Sequence, residues 1–222
     1  MIKIIVIFKR RRGLSRADFE QHWITVHGPL VCRLPGLRRY VQSQTIAGGY
    51  RNGEPACDGV AELWFDDTAA LRALTESAEL RAVMADEKNL MDQVTRLEII
   101  TEEVVIKNGA NPTPCVKNIE LVVKRPDLTP ENFHRHWIET HGPLGASIPQ
   151  VHRYVQSHTR LAAYKDGRTP VLDGVALTWF DDTAAMRAAA TTPEYTRTRD
   201  DEHNFVVEPL AFVITQERVI LG

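Results

Sequence analysis

The stretch Phe19-Glu20-Gln21-His22-Trp23-Ile24-Thr25-Val26-His27-Gly28-Pro29-Leu30 returns 114 positions later as Phe133-His134-Arg135-His136-Trp137-Ile138-Glu139-Thr140-His141-Gly142-Pro143-Leu144. Around it, Arg39-Tyr40-Val41-Gln42-Ser43 returns as Arg153-Tyr154-Val155-Gln156-Ser157. Asp58-Gly59-Val60-Ala61 and Trp64-Phe65-Asp66-Asp67-Thr68-Ala69-Ala70 return as Asp173-Gly174-Val175-Ala176 and Trp179-Phe180-Asp181-Asp182-Thr183-Ala184-Ala185, after one inserted residue. A repeat this long is a duplicated domain, not a solenoid unit. The chain is therefore expected to hold domains at 1–106 and 116–222, joined by a linker at 107–115 rich in Gly109, Asn111, Pro112 and Pro114.

Each copy reads β-α-β-β-α-β. Ile2 to Phe8 is a β-rich apolar run, and Ser15 with Asp18 marks a helix start, as Thr129-Pro130-Glu131 does in the second copy. Phe19, Trp23, Val26 and Leu30 give the first helix an apolar stripe, and Gly28-Pro29 is expected to bend or end it. Strands follow over Leu37–Thr45 and Gly59–Phe65, then a helix capped by Asp66-Asp67 and running to about Leu90, then a closing strand over Val94–Val105. This is a ferredoxin-like α+β unit.

Alternation along the strands places Ala61, Leu63 and Phe65 against the helices, with Val60, Glu62 and Trp64 on the far face. Taking Val41 as helix-facing puts Arg38, Tyr40, Gln42 and Gln44 on that far face too, and in the second copy His152, Tyr154, Gln156 and His158. Glu120 is read as far-facing on the first strand of the second copy, with Ile5 as its counterpart. A far face carrying tyrosine and tryptophan must meet another sheet. The expectation is that the two antiparallel sheets pair into an intramolecular, pseudo-dimeric α+β barrel.

The bulk numbers exclude several functions. A net charge of −2 offers no electrostatic case for nucleic acid or an anionic membrane surface. The basic run Lys9-Arg10-Arg11-Arg12 is read as a solvated turn. Cys32, Cys57 and Cys115 are odd in number and unmatched between copies, so no disulfide framework or cysteine metal site is expected. With no apolar span of membrane length and Met1 leading straight into a strand, the expectation is a cytoplasmic protein.

Through His27-Gly28-Pro29-Leu30, Tyr40-Val41-Gln42 and Asp58-Gly59-Val60-Ala61-Glu62-Leu63-Trp64-Phe65, each copy resembles the EthD family. Asp86-Glu87 and Asp201-Glu202-His203-Asn204-Phe205 resemble that family's stretch after the second helix. The resemblance implies a dimeric α+β barrel, here within one chain. It also implies a superfamily that includes decarboxylases, dehydratases, lactone isomerases, cofactor-free monooxygenases and haem-handling proteins.

His27 and His141 are the candidate acid–base residues, because histidine titrates near neutrality. Tyr40 and Tyr154 would polarise a carbonyl. Trp64 and Trp179 would wall an aromatic ring, and Glu62, Glu120, Gln42, Gln156, His152 and His158 would complete a small-molecule site in the barrel. Trp23 and Trp137 read as core, and His22 and His136 as partly buried structural residues. A carboxylate buried there needs a partner or a raised pKa. His22 and His27, five apart, are not expected to share a helix face. His152 and His158 lie roughly 20 Å apart by strand rise, too far for one ion, so no metal and no cofactor are expected. The expected function is a cofactor-independent lyase or isomerase acting on a small hydroxylated aromatic or polyketide-like compound. A non-catalytic small-molecule binder and a cofactor-free monooxygenase are the alternatives. Further association of the chain with itself is left open.

Overall fold

The computed structural model describes residues 1–222. Strands β1 (Ile2–Phe8), β2 (Leu37–Thr45), β3 (Gly59–Phe65) and β4 (Leu97–Asn108) are matched by β5 (Val116–Val122), β6 (Arg153–Thr159), β7 (Gly174–Phe180) and β8 (Ala211–Leu221). Hydrogen bonding orders the strands as β1-β3-β2 and as β8-β5-β7-β6-β4, every pair antiparallel. Contacts divide the chain into two compact units, Met1–Ile100 with Glu217–Gly222, and Thr101–Gln216. β4 runs through Lys107 and Asn108, where its later half pairs with β6.

In the first unit the sheet is covered by α1 (Arg16–His22), α2 (Gly28–Val31), α3 (Thr68–Leu74) and α4 (Ala78–Leu90). The second unit repeats them as α5 (Pro130–His136), α6 (Gly142–Ser147), α7 (Thr183–Ala189) and α8 (Pro193–Glu202). Ser15 caps α1 by accepting from the Asp18 N–H, and Thr129 caps α5 through the Asn132 N–H. The single helix expected after Asp67 is two. Asp67 caps α3 through the N–H groups of Ala69 and Ala70, and Ser77 then caps α4 through the Leu80 N–H.

Gly28-Pro29 does not end the first helix. A π-turn, Trp23–His27, lies between α1 and α2, and the Gly28 N–H reaches back five residues to the Trp23 carbonyl. Pro29 has no N–H to continue the ordinary ladder, and the wider turn absorbs that loss. The second copy does the same over Trp137–His141. The Trp23 and Trp137 carbonyls also accept from Gln42 Nε2 at 2.9 Å and Gln156 Nε2 at 2.7 Å.

The expected facing of β2 is inverted. Between Leu37, which pairs with Phe65, and Arg39, which pairs with Trp64, the register slips by one residue at Arg38. Such a bulge moves every later side chain to the opposite face. Tyr40 and Gln42 therefore join Leu37 against the helices. Tyr40 packs in the core with Ala61, Leu63 and Phe65, and its hydroxyl accepts from Trp23 Nε1 at 3.1 Å. Tyr154 and Gln156 are placed likewise, with Trp137 Nε1 3.1 Å from the Tyr154 hydroxyl.

The paired Asp-Gly motifs are structural. Asp58 accepts from the Arg10 backbone N–H and binds the Arg10 guanidinium and the Tyr50 hydroxyl, while Asp173 accepts from the Lys124 N–H and the Tyr164 hydroxyl. A Cβ at Gly59 would lie 2.7 Å from the Trp23 ring, and one at Gly174 2.5 Å from Trp137, so glycine lets each indole lie flat on its strand.

Candidate active site

The wide π-turn sets the first histidine pair. His22 and His27 flank one i to i+5 turn, so they do share a face, contrary to the expectation for an ordinary helix. Both contact Asp86 on α4. His27 Nδ1 lies 3.0 Å from Asp86 Oδ2, and His22 Nε2 lies 2.9 Å from Oδ1. Asn89, one turn on, adds a longer 3.4 Å contact. Burial by itself would raise the Asp86 pKa, but hydrogen bonds from His27, His22 and Asn89 outweigh it and hold the carboxyl below its usual range.

An ionised Asp86 only accepts, so His27 carries its proton on Nδ1 and keeps the lone pair on Nε2 when neutral. Nε2 has no protein partner. Burial lowers the His27 pKa, and Asp86 opposes this only in part, so the ring is the neutral base at neutral pH.

His27 lines a helix-side cavity of about 80 Å³ in the first unit. Its floor is apolar: Val6, Phe8, Trp23, Ala61, Leu63, Phe65, Leu74 and Met91. Polar groups come from Tyr40, Glu87, Arg96 and Glu98. The Tyr40 hydroxyl accepts from both Trp23 Nε1 and Gln42 Nε2, which leaves its own hydrogen for whatever occupies the cavity. Burial drives the Tyr40 pKa upward, so the phenol stays a neutral donor. Arg96 sits 2.6 Å from Glu98 and 3.3 Å from Glu87, whose carboxyl is raised by burial.

The second unit repeats the dyad and changes its surroundings. His141 Nδ1 lies 3.1 Å from Asp201 Oδ2, His136 Nε2 lies 3.0 Å from Oδ1, and Asn204 donates to Oδ1. These bonds outweigh burial and hold Asp201 well below the carboxylate range. Phe205 packs 4.7 Å from the His141 ring. Glu202, the counterpart of Glu87, bonds Arg199 at 2.7 Å, and Arg199 also faces Glu120 at 3.7 Å. Burial first, then Glu120, push Glu202 up to about 8.

Several expected site residues lie elsewhere. Glu120 pairs across the sheet with Ala176, the counterpart of Ala61, so it faces the helices and not the far face. His158 is also helix-side. Its ring packs 4.4 Å from Trp137 and 4.6 Å from His134, and burial takes its pKa down to about 3. His152 is half-exposed and pairs with Asp181 at 3.0 Å. Glu62 has the partner its burial requires, Lys3 at 3.0 Å. Trp64 and Trp179 do not line the His27 cavity. They are flanked by cations, Lys3 and Arg39 around Trp64, and Lys117 and Arg153 around Trp179. Cys57 is buried, which pushes its thiol up to about 12 and leaves no thiolate.

Asp86, Glu87, Arg96 and their counterparts Asp201 and Glu202 were missed as site residues. A signal for the acids was present, since Asp86, Glu87 and Asn89 return as Asp201, Glu202 and Asn204 on helices most of whose other polar positions drift.

The EthD domain family matches residues 11–94 and 125–209, once over each copy of the dyad. The chain belongs to the EthD family. An EthD family protein from Bacillus halodurans is 24% identical over 47% of this chain and 99% of its own, at a TM-score of 0.40. This EthD chain is similar in fold to an anthrone oxidase-like protein, at 10% identity, TM-score 0.66 and coverage of 99% and 93% of the two chains. It is also similar to a proposed monooxygenase from Lactobacillus acidophilus, at 12% identity, TM-score 0.59 and coverage of 98% and 94%. No curated protein matches the sequence. No helix is long and apolar enough to cross a membrane.

Proposed function

We propose that the first unit is an enzyme site in which His27 acts as general base on a small hydroxylated aromatic molecule held in the helix-side cavity. The observation that carries this reading is the His27–Asp86 bond. It fixes the tautomer and leaves Nε2 as the free nitrogen of a residue lining an apolar pocket. At about 80 Å³ the cavity is roughly half the ~150 Å³ that admits benzene in an engineered core. A ring of single-benzene size therefore enters by displacing flexible walls such as Leu80 and Met91, and larger fused systems fit less well.

In the proposed step, Nε2 takes a proton from an acidic O–H or an activated C–H of the substrate, and Asp86 offsets the imidazolium charge. Tyr40 donates to the oxygen on which negative charge develops. The same proton, returned at another carbon, gives isomerisation. Delivered to a departing hydroxyl, it gives dehydration with release of water.

A second reading is favoured by the largely apolar lining and by the names of the fold neighbours. A deprotonated, electron-rich substrate could be oxidised by molecular oxygen, a CH₂ becoming a carbonyl with the second oxygen atom leaving as water. Oxygen uptake during turnover of a panel of substituted phenols separates the two. Turnover without oxygen consumption supports the lyase or isomerase, and stoichiometric uptake supports the oxygenase. Unaltered ligand binding with no turnover, in the parent and in His27→Ala alike, would leave a non-catalytic binder.

A further inference from the structure

The two helix-side sites carry opposite polarity. In the first unit the floor is apolar and charges gather around Arg96, Glu87 and Glu98. In the second, floor position Ile4 is replaced by Asn118 and Val6 by Glu120, while Arg96 and Glu98 give way to Leu210 and Phe212. Glu120 and Phe212 are cross-strand partners and so share a face, with the Phe212 ring 56% exposed beside the carboxylate.

Two buried side-chain oxygens on this side have no protein partner, one on Glu202 of α8 and one on Asn118, which lies two residues from Glu120 on the same face of β5. Glu202 is 2% exposed and its Oε2 has no hydrogen-bond partner. Asn118 is 9% exposed and its Oδ1 has none either. A buried polar atom left without a partner costs about 1–3 kcal/mol, more when charged, so each oxygen favours a ligand that brings a donor. The charges point the same way. Glu120 and Glu202 share one guanidinium, Arg199, so with both ionised one carboxylate would lack a counter-charge, and a cation entering here lets both ionise. Asp201 cannot relieve this, because it is itself an ionised acceptor held by His136, His141 and Asn204 and adds negative charge beside Glu202.

We propose that the helix-side cluster of the second unit is a ligand site for a primary ammonium ion carried on a short aromatic arm. The ammonium donates to Glu202 Oε2 and Asn118 Oδ1, and the ring rests against Phe212. A primary ammonium supplies three donors and the missing positive charge, and the exposed ring offers an apolar face to the arm. This site is separate from the His27 cavity and does not depend on the reaction assigned there.

Calorimetric titration of the full chain with benzylamine, benzyl alcohol and methylamine tests it. Benzylamine is expected to bind at least 10-fold more tightly than either of the others, since each lacks one half of the recognition. Glu202→Gln and Asn118→Ala should each weaken benzylamine at least 10-fold, and Phe212→Ala several-fold. Near-ultraviolet circular dichroism establishes that the variants fold. Should Glu202→Gln not fold, Asn118→Ala and Phe212→Ala decide. Absent binding of benzylamine, equal binding of benzyl alcohol, or affinity indifferent to these substitutions would each overturn the proposal.

Discussion

At the scale of single residues, Asp86 gives His27 its chemical character. Replacing it by Asn leaves shape and removes the charge that orients Nδ1–H and supports the imidazolium. Asp86→Asn is expected to lower kcat by at least ~10–100-fold, a part of the roughly 10²–10⁴-fold that a positioned general base contributes. The acidic limb of the rate profile should lie below pH 6.5 in the parent, because burial depresses the His27 pKa. It should move lower still in the variant, where the one group raising that pKa is gone. His158 gives a stability prediction. Its pKa is about 3 folded and near 6.5 unfolded, so protons bind the unfolded chain more readily. Its contribution is complete above about pH 6.5 and is lost as pH falls toward 3, at up to about 1.4 kcal/mol per pH unit. His158→Gln, which installs the residue of the first copy at Gln44, should flatten urea-midpoint measurements over that window. An unchanged slope would assign the acid sensitivity elsewhere.

At the scale of elements, the π-turn and the β2 bulge together build the site. The turn brings His22 and His27 onto one carboxylate, and the bulge turns Tyr40 and Gln42 inward to hold the Trp23 indole and carbonyl. Gly59→Ala would press a methyl into the Trp23 ring at 2.7 Å. Overpacking of this kind typically costs ~1–3 kcal/mol, read as a lower denaturant midpoint, and should reduce turnover as the turn shifts. The strands, the caps and the amphipathic helix were legible, because hydrophobic period and cap chemistry are local. The facing of β2 was not. Leu37 and Val41 have the same parity, and nothing in Leu37-Arg38-Arg39-Tyr40 announces that the chain bulges between them. The pairing of His22 with His27 was hidden for a similar reason, since ordinary helix geometry sets five residues apart on different faces. His27 itself was found from its place before Gly-Pro, whereas Asp86, 59 positions away, needed the fold.

At the scale of the whole molecule, duplication has given one chain two dyads of like geometry in unlike surroundings. If the apolar cavity is the working site, His27→Ala should abolish turnover while His141→Ala retains most of it, a comparison made in one assay with one substrate. Equal losses would mean that both units act on that substrate. The first unit is not a continuous stretch of chain. Its closing segment is Glu217–Gly222, and Ile220 and Leu221 pack on the same apolar core that surrounds Trp23 and Tyr40. A ribosome has therefore made every other part of the first site long before it supplies the last piece. A stop codon in place of Glu217 should spare the second unit's own residues and loosen the first, detected as faster hydrogen exchange in β1 and α1. The first of the two sites to be synthesised is the last to be finished.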